Sequence, residues 1–297
     1  MGKTDRQVAG SPGRQVIAAV MLCGAWACSS SSSGQQAAAS APAPAFTLPA
    51  DESTAVARLN LSPRHGEYVK VDAGNGDSVR MWVVYPERRD KAPVVLVIHE
   101  IFGLSDWIRG VGDQLAAEGF IAVVPDLLSG LGPNGGGTES VDRQGATALI
   151  RNVTRDVYTR RLGAAARYGL ALPAANGHLG TIGFCWGGSR SFEMAAALDR
   201  AGAAVVYYGP SPDSATIAGV RAPVLGFYGG DDARVGATIP AAQAQMNALH
   251  QPFEAVSFEG AGHGFLRDQP GRNGANQRAA AQAWPRTIAF FREKLGR

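Results

Sequence analysis

Cysteine is scarce in this chain. Cys23, Cys28 and Cys185 are the only three in 297 residues, and the first two fall in a stretch that reads as an export signal. One unpaired thiol is left for the folded part, and a disulfide framework is excluded. Charge of one sign is missing as well. The formal net charge is +3, and several basic residues lie among the first fourteen positions, so the body of the chain is nearly neutral and carries no footprint for nucleic acid. The apolar run 16–27 is too short to span a bilayer as a stable helix. A zinc-protease motif is incomplete: His99-Glu100 opens like H-E-x-x-H, but Gly103 stands where the second histidine belongs, which argues against a metal. No organic cofactor is expected either.

What the N-terminus does contain is Lys3, Arg6 and Arg14 ahead of that apolar run, the pattern of a secretory signal, with Ala25 and Ala27 at the two small positions a signal peptidase reads. Ala25-Trp26-Ala27-Cys28, followed by serines 29–33, resembles a bacterial lipobox, in which Cys28 becomes the acylated first residue; Trp26 stands where a small residue is usual. Export as a lipoprotein to the periplasm or membrane surface is the first expectation, soluble secretion the second and an uncleaved anchor the third. Residues 1–28 are then signal and 29–54 a Ser-, Ala- and Pro-rich flexible tether. Residues 55–297 form one globular domain, expected to be a monomer, that touches the membrane only through the lipid.

Within that domain short apolar runs alternate with longer helical patterns, the signature of an α/β sheet. Eight strands are expected, at 68–71, 79–85, 94–98, 121–124, 179–184, 203–207, 224–228 and 253–258. Gly74-Asn75-Gly76-Asp77 between the first two signals a hairpin. The later runs are continuously apolar, as in parallel strands covered by helices on both faces. Helices are expected at 106–118, 139–170, 186–200, 239–250 and 276–294, the last started or kinked by Pro285. Residues 129–137, with five glycines, read as a long mobile loop able to cap a cleft.

Ligands of an open α/β sheet bind beyond the carboxyl ends of its strands. The residues found there are His99, Glu100 and Ile101 after the third strand, Cys185 after the fifth, Asp231 and Asp232 after the seventh, and His263 after the eighth. Gly183-Phe184-Cys185-Trp186-Gly187-Gly188 reads as a nucleophile elbow with cysteine in place of serine, set between a strand and a helix. A cysteine nucleophile needs a base, an acid to orient that base, and donors for the developing oxyanion. The order nucleophile, acid, histidine is that of the α/β-hydrolases. His263, in a glycine-rich loop, is the candidate base; Asp231 and Asp232 are alternatives for the acid. For His99 a packed, hydrogen-bonded role is the commoner explanation, and for Glu100 a salt bridge with an arginine.

From about residue 65 onward the chain resembles the dienelactone hydrolase family. The resemblance is carried by His99-Glu100-Ile101-Phe102-Gly103, the Gly183–Gly188 elbow, Gly229-Gly230-Asp231-Asp232 and Gly262-His263-Gly264-Phe265. It implies an α/β-hydrolase fold and an enzyme that opens small lactones or esters through a thioester on Cys185. It implies Asp232 as the acid, by the G-x-x-D spacing from Gly229, and the backbone N–H groups of Ile101 and Trp186 as the oxyanion hole. Glu100 would accept the thiol proton once substrate displaces it, so that Cys185 rests as a thiol with a raised pKa. Arg267 would bind a substrate carboxylate, with Arg143 as its candidate partner. The rivals are a carboxylesterase for uncharged esters on the same site, and a lipoprotein that uses the fold only for binding.

Overall fold

The computed structural model describes residues 47–296; the signal, the lipobox with Cys28 and most of the tether lie outside the described residues. Eight strands form one sheet: β1 (Gly66–Gly74), β2 (Asp77–Val84), β3 (Ala92–Ile98), β4 (Ile121–Pro125), β5 (Ala175–Phe184), β6 (Ala201–Tyr207), β7 (Val224–Gly229) and β8 (Phe253–Phe258). The helices among the described residues are α1 (Ala55–Asn60), α2 (Asp106–Ala117), α3 (Arg143–Leu149), α4 (Arg155–Ala171), α5 (Trp186–Ala197), α6 (Ser214–Ile217), α7 (Ala233–Gly236), α8 (Ile239–Ala248) and α9 (Ala275–Leu295).

All eight expected strands are present. Asn75 and Gly76 both take positive φ, 55° and 73°, the requirement of a type I′ turn, and they close β1 and β2 into the expected hairpin. The strand order is β1-β2-β4-β3-β5-β6-β7-β8, antiparallel through β2/β4 and parallel from there on. β3 and β4 are buried along their whole length, which explains why their sequences are continuously apolar. The chain steps from β3 outward to β4 and then returns across β3 to β5. The direction of winding therefore reverses between β3 and β5, where such sheets open a crevice at their carboxyl ends. Ile98 pairs with Gly183 there, which brings His99-Glu100-Ile101 alongside the Cys185 elbow.

Helices cover both faces, and each closes its own apolar core. Residues of α2 and α9 pack on one side, those of α4 on the other, and α5 with α8 over the β6–β8 end. Phe184, Tyr207, Phe227 and Phe258 run across β5 to β8 with centroid separations of 5.1, 5.2 and 6.1 Å. Such pairs contribute about 0.5–1.5 kcal/mol each beyond their area burial, so the floor beneath the strand ends is rigid.

Four expectations change. The helix expected over 139–170 is two, because Asp142 and Thr154 each cap a new start by accepting from Gly145 N–H at 2.7 Å and Val157 N–H at 3.4 Å. Helix α9 runs through Pro285 without restarting. Pro285 and Ala281, whose carbonyl loses its intrahelical donor, both face outward, where solvent can satisfy the oxygen. Residues 129–137 are tied at both ends, Ser129 Oγ donating to the Asp126 carbonyl at 2.6 Å and Gly137 N–H to Glu139 Oε1 at 3.0 Å. Asp126 accepts from Leu128 N–H, Thr138 N–H and Thr138 Oγ1 at 3.0, 2.8 and 2.7 Å, and the loop borders a cavity of about 230 Å³ that it shares with Lys70, Ser78 and Arg80 of the β1–β2 hairpin. Finally, the domain begins before residue 55. The end of the expected tether is docked: Ala50 is buried, its carbonyl accepts from Trp107 Nε1 at 2.9 Å, and the Pro49 carbonyl accepts from Gln269 Nε2 at 3.0 Å.

Candidate active site

Cys185 stands between β5 and α5 with φ 55° and ψ −116°, a backbone conformation that β-carbon-bearing residues seldom adopt and that costs on the order of 1–3 kcal/mol. The glycines around it make the turn possible. A β-carbon at Gly183 would lie 1.9 Å from the Gly187 carbonyl oxygen, one at Gly187 2.3 Å from the Ile98 oxygen, and one at Gly188 2.7 Å from the Tyr207 oxygen. These close approaches wedge the elbow between β3 and β6. Cys185 N–H donates to the Tyr207 carbonyl at 3.0 Å.

The thiol is mostly buried. Burial first, and then the neighbouring Glu100 carboxylate, push it up to about 11, although the Trp186 N–H favours the thiolate. Trp186 is the first residue of α5, so its N–H has no intrahelical acceptor. Ile101, which also follows a strand end, lies across the switch point on the β3 side.

Asp232 and His263 meet on the other flank. His263 Nδ1 is 2.5 Å from Asp232 Oδ2, while Asp232 Oδ1 accepts from Val235 N–H at 3.4 Å and caps α7. A β-carbon at Gly229 would lie 2.6 Å from the carbonyl oxygens of Ala261 and Gly262, so this glycine is what lets the histidine loop settle against β7. Asp231 turns outward to Arg272 at 3.1 Å. The two neighbouring aspartates are thus separated by what each touches. His263 and the elbow converge on Tyr208: its ring packs edge-on against the His263 ring at 5.2 Å, and it directly follows the carbonyl that holds Cys185 N–H.

Tyr208 is a member of this cluster that the sequence did not reveal. It follows β6 at φ 42°, its ring is fully buried, and its hydroxyl has no hydrogen-bond partner among the described residues. Burial, followed by the Glu100 charge, holds the phenol well above its ordinary range. A tyrosine closing an apolar strand reads as core; its position one residue past a strand end was the available signal.

Glu100 is buried and forms an ion pair with Arg267, Nε to Oε2 2.9 Å, without linear hydrogen-bond alignment. Burial outweighs the arginine and raises the carboxyl to about 7. His99 is structural: Leu127 N–H donates to its Nε2 at 3.0 Å, which leaves Nδ1 as the donor to the Glu100 carbonyl at 2.6 Å. Burial lowers its pKa, in keeping with this neutral tautomer. Arg143 and Arg267 come together over Phe102, their guanidinium carbons 3.5 and 5.3 Å from its ring centroid. Both are ion-paired to Glu52.

A mostly parallel sheet with a cysteine elbow after its fifth strand, and an acid–histidine pair beyond later strands, is the architecture of the α/β-hydrolase fold. The chain belongs to the dienelactone hydrolase family, whose model matches residues 79–295. It is 31% identical over 241 residues to a provisionally named carboxymethylenebutenolidase of Salmonella typhimurium, covering 75% of this chain and 85% of that one. Over 122 residues it is 36% identical to carboxymethylenebutenolidase 1 of Cupriavidus pinatubonensis, covering 40% and 52%. Among solved structures, a dienelactone hydrolase-like promiscuous phosphotriesterase from metagenomic libraries superposes with a TM-score of 0.68 at 23% identity, over 78% of this chain and 99% of that one. The dienelactone hydrolase of Anabaena variabilis superposes at 0.59 with 21% identity, over 78% and 99%. The chain is a hydrolase acting on ester or lactone bonds.

Proposed function

We propose that this hydrolase opens small lactones or carboxylic esters through an acyl-thioester on Cys185, with Asp232 and His263 completing the triad. The observation that carries this reading is a strained cysteine beside a buried glutamate at the β3–β5 switch point, with an Asp–His pair whose imidazole packs on Tyr208, the residue after the carbonyl that holds Cys185 N–H. In the resting site the thiol is neutral and Glu100 is held by Arg267. Substrate arriving in the crevice loosens that pair, and the Cys185 proton passes to the Glu100 carboxylate. Sγ bonds to the carbonyl carbon, and the charge that moves onto oxygen is held by the Ile101 and Trp186 N–H groups, an interaction of about 3–4 kcal/mol per donor in such sites. Collapse breaks the carbon–oxygen bond, and the leaving oxygen takes a proton from His263, which enters the cycle protonated beside the Asp232 carboxylate and regains its proton from water in the next step. Neutral His263 then removes a proton from the water that attacks the thioester. The second collapse breaks the carbon–sulfur bond and frees the acid, and the thiolate recovers its proton from Glu100.

Replacing Cys185 by Ser, or His263 by Ala, is expected to abolish turnover of small activated esters with the fold retained, and mass spectrometry of a quenched wild-type reaction is expected to find the acyl group on Cys185. Full activity in either variant removes the mechanism. For location, the basic residues before the 16–27 run and the Ala25–Cys28 lipobox support an exported, Cys28-lipidated protein. The mass of the native N-terminus tests this: diacylglyceryl on Cys28 is the expected result, and an intact Met1 in mature protein overturns it.

A further inference from the structure

The two arginines that the resemblance assigns to a substrate carboxylate already hold one. Glu52 ion-pairs through Oε1 with Arg143 and through Oε2 with Arg267 Nη1, the latter at 2.5 Å. One oxygen serves each guanidinium, the arrangement a bound carboxylate would adopt between two such forks. Glu52 precedes residue 79, where the family match begins, and it lies 215 positions from Arg267 in sequence.

The segment carrying Glu52 is built into the fold. Its own N–H donates to the Arg267 carbonyl at 2.9 Å. Upstream, the Ala50 and Pro49 carbonyls are held by Trp107 and Gln269, as described above, and Asp51 Oδ1 accepts from Ser53 N–H and Thr54 N–H at 2.9 and 3.1 Å. An intramolecular carboxylate delivered in this way competes at an effective concentration of at least mM order, whereas a substrate carboxylate must displace it from two charges at once. The Glu52 and Arg143 side chains are 39% and 49% exposed, so the contact lies at the rim and not under the thiol. Although partial burial works against it, Arg143 and Arg267 keep the Glu52 carboxyl below its ordinary range, hence ionised at neutral pH.

We propose that Glu52 is a specificity-determining residue, which fills the anion subsite of Arg143 and Arg267 and thereby selects lactones and esters that carry no carboxylate at that end. This rests on the hydrolase reading above. With Glu52 in place and Glu100 ionised, the cluster of Glu52, Glu100, Arg143 and Arg267 balances two negative and two positive charges; a substrate anion then adds an unmatched third negative charge, and a neutral group adds none.

The test compares a butenolide bearing a carboxymethyl arm with the same butenolide bearing a carboxamide arm, on the full chain and its Glu52→Gln and Glu52→Ala variants. The wild type is expected to favour the carboxamide, and both variants to shift the kcat/KM ratio toward the carboxylate by roughly tenfold or more, the scale of a charge-assisted hydrogen bond. The ratio is insensitive to the fraction of folded enzyme, so a poorly folding variant does not mimic the shift. An unchanged ratio overturns the proposal, as does an equal rise on both substrates, which would make the segment a general obstruction. Calorimetric titration with succinate separates the two readings: binding by Glu52→Gln but not by wild type supports the subsite even if no ester is turned over, and equal affinity in both overturns it.

Discussion

His263 Nδ1 lies 2.5 Å from one oxygen of Asp232, and the other oxygen of the same carboxylate caps helix α7 at Val235 N–H. The cap orients the carboxylate, and the carboxylate orients the ring, so the setting of the candidate base His263 is inherited from the start of a short helix. Asp231, one residue earlier, faces solvent and Arg272 and can do neither.

Replacing Asp232 by Asn keeps the cap but offers the ring a group that favours the wrong tautomer. Turnover should fall by about 10³–10⁴-fold, as expected when a triad acid is neutralised, with a much smaller change in KM. Asp231→Asn should change kcat by less than about threefold, since exposed ion pairs contribute little. Steady-state kinetics of the two variants checks this, and equal losses would reverse the assignment.

The sheet was legible because buried parallel strands must be continuously apolar, and residues 94–98 and 121–124 are. The candidate site was legible because the topology sends reactive side chains to strand ends, where Cys185, the Asp231–Asp232 pair and His263 could be counted off; choosing between the two aspartates took the resemblance, and what separates them in the fold is that Asp232 meets His263 while Asp231 meets Arg272. What escaped has physical causes. Pro285 reads as a helix break in sequence, but the Ala281 carbonyl that it deprives of a donor faces outward, where solvent can satisfy it, and α9 continues. Tyr208 has the composition of core and the location of a site residue. Glu52 lies in a segment without periodicity, and its charge acquires meaning only beside Arg143 and Arg267, which approach it through the fold.

The elbow depends on space that only glycine leaves. Gly183→Ala should abolish folding or cost more than about 3 kcal/mol, because its β-carbon would meet the Gly187 backbone at 1.9 Å and backbone cannot move aside as a flexible side chain can. Gly236→Ala, where a β-carbon meets nothing within 4 Å, should be neutral or stabilising by about 0.4–1 kcal/mol through the unfolded chain. Urea midpoints of the two variants decide the matter, and a well-folded Gly183→Ala would contradict the wedge.

Cys185 should resist small thiol reagents at neutral pH and react faster as pH rises through 9–11, because burial and Glu100 hold its pKa near 11 and thiolate is the reactive form. Glu100→Gln removes the neighbouring charge and should move the alkylation profile to lower pH; under the proposed mechanism it should also lower turnover, because the acceptor of the thiol proton is lost. Iodoacetamide rates against pH measure both. Rapid labelling of the wild type below pH 7 would mean that the resting residue is already a thiolate.

Glu100 also links stability to pH, with a sign opposite to that of a typical salt-bridged carboxylate. Its folded pKa is raised from 4.5 to about 7, chiefly by burial, so between those values the folded protein holds a proton that the unfolded chain releases. The stabilisation from the neutral carboxyl is complete below about pH 4.5 and is lost as pH rises through 7. At about 1.4 kcal/mol per unit, the swing is on the order of 3 kcal/mol. Glutamine keeps the shape of the protonated form at every pH. Urea denaturation of wild type and Glu100→Gln should therefore give similar stabilities near pH 5 and a widening advantage for the variant up to pH 8. A difference that stays constant from pH 5 to 8 would mean that the Arg267 ion pair, and not burial, governs the ionisation of Glu100.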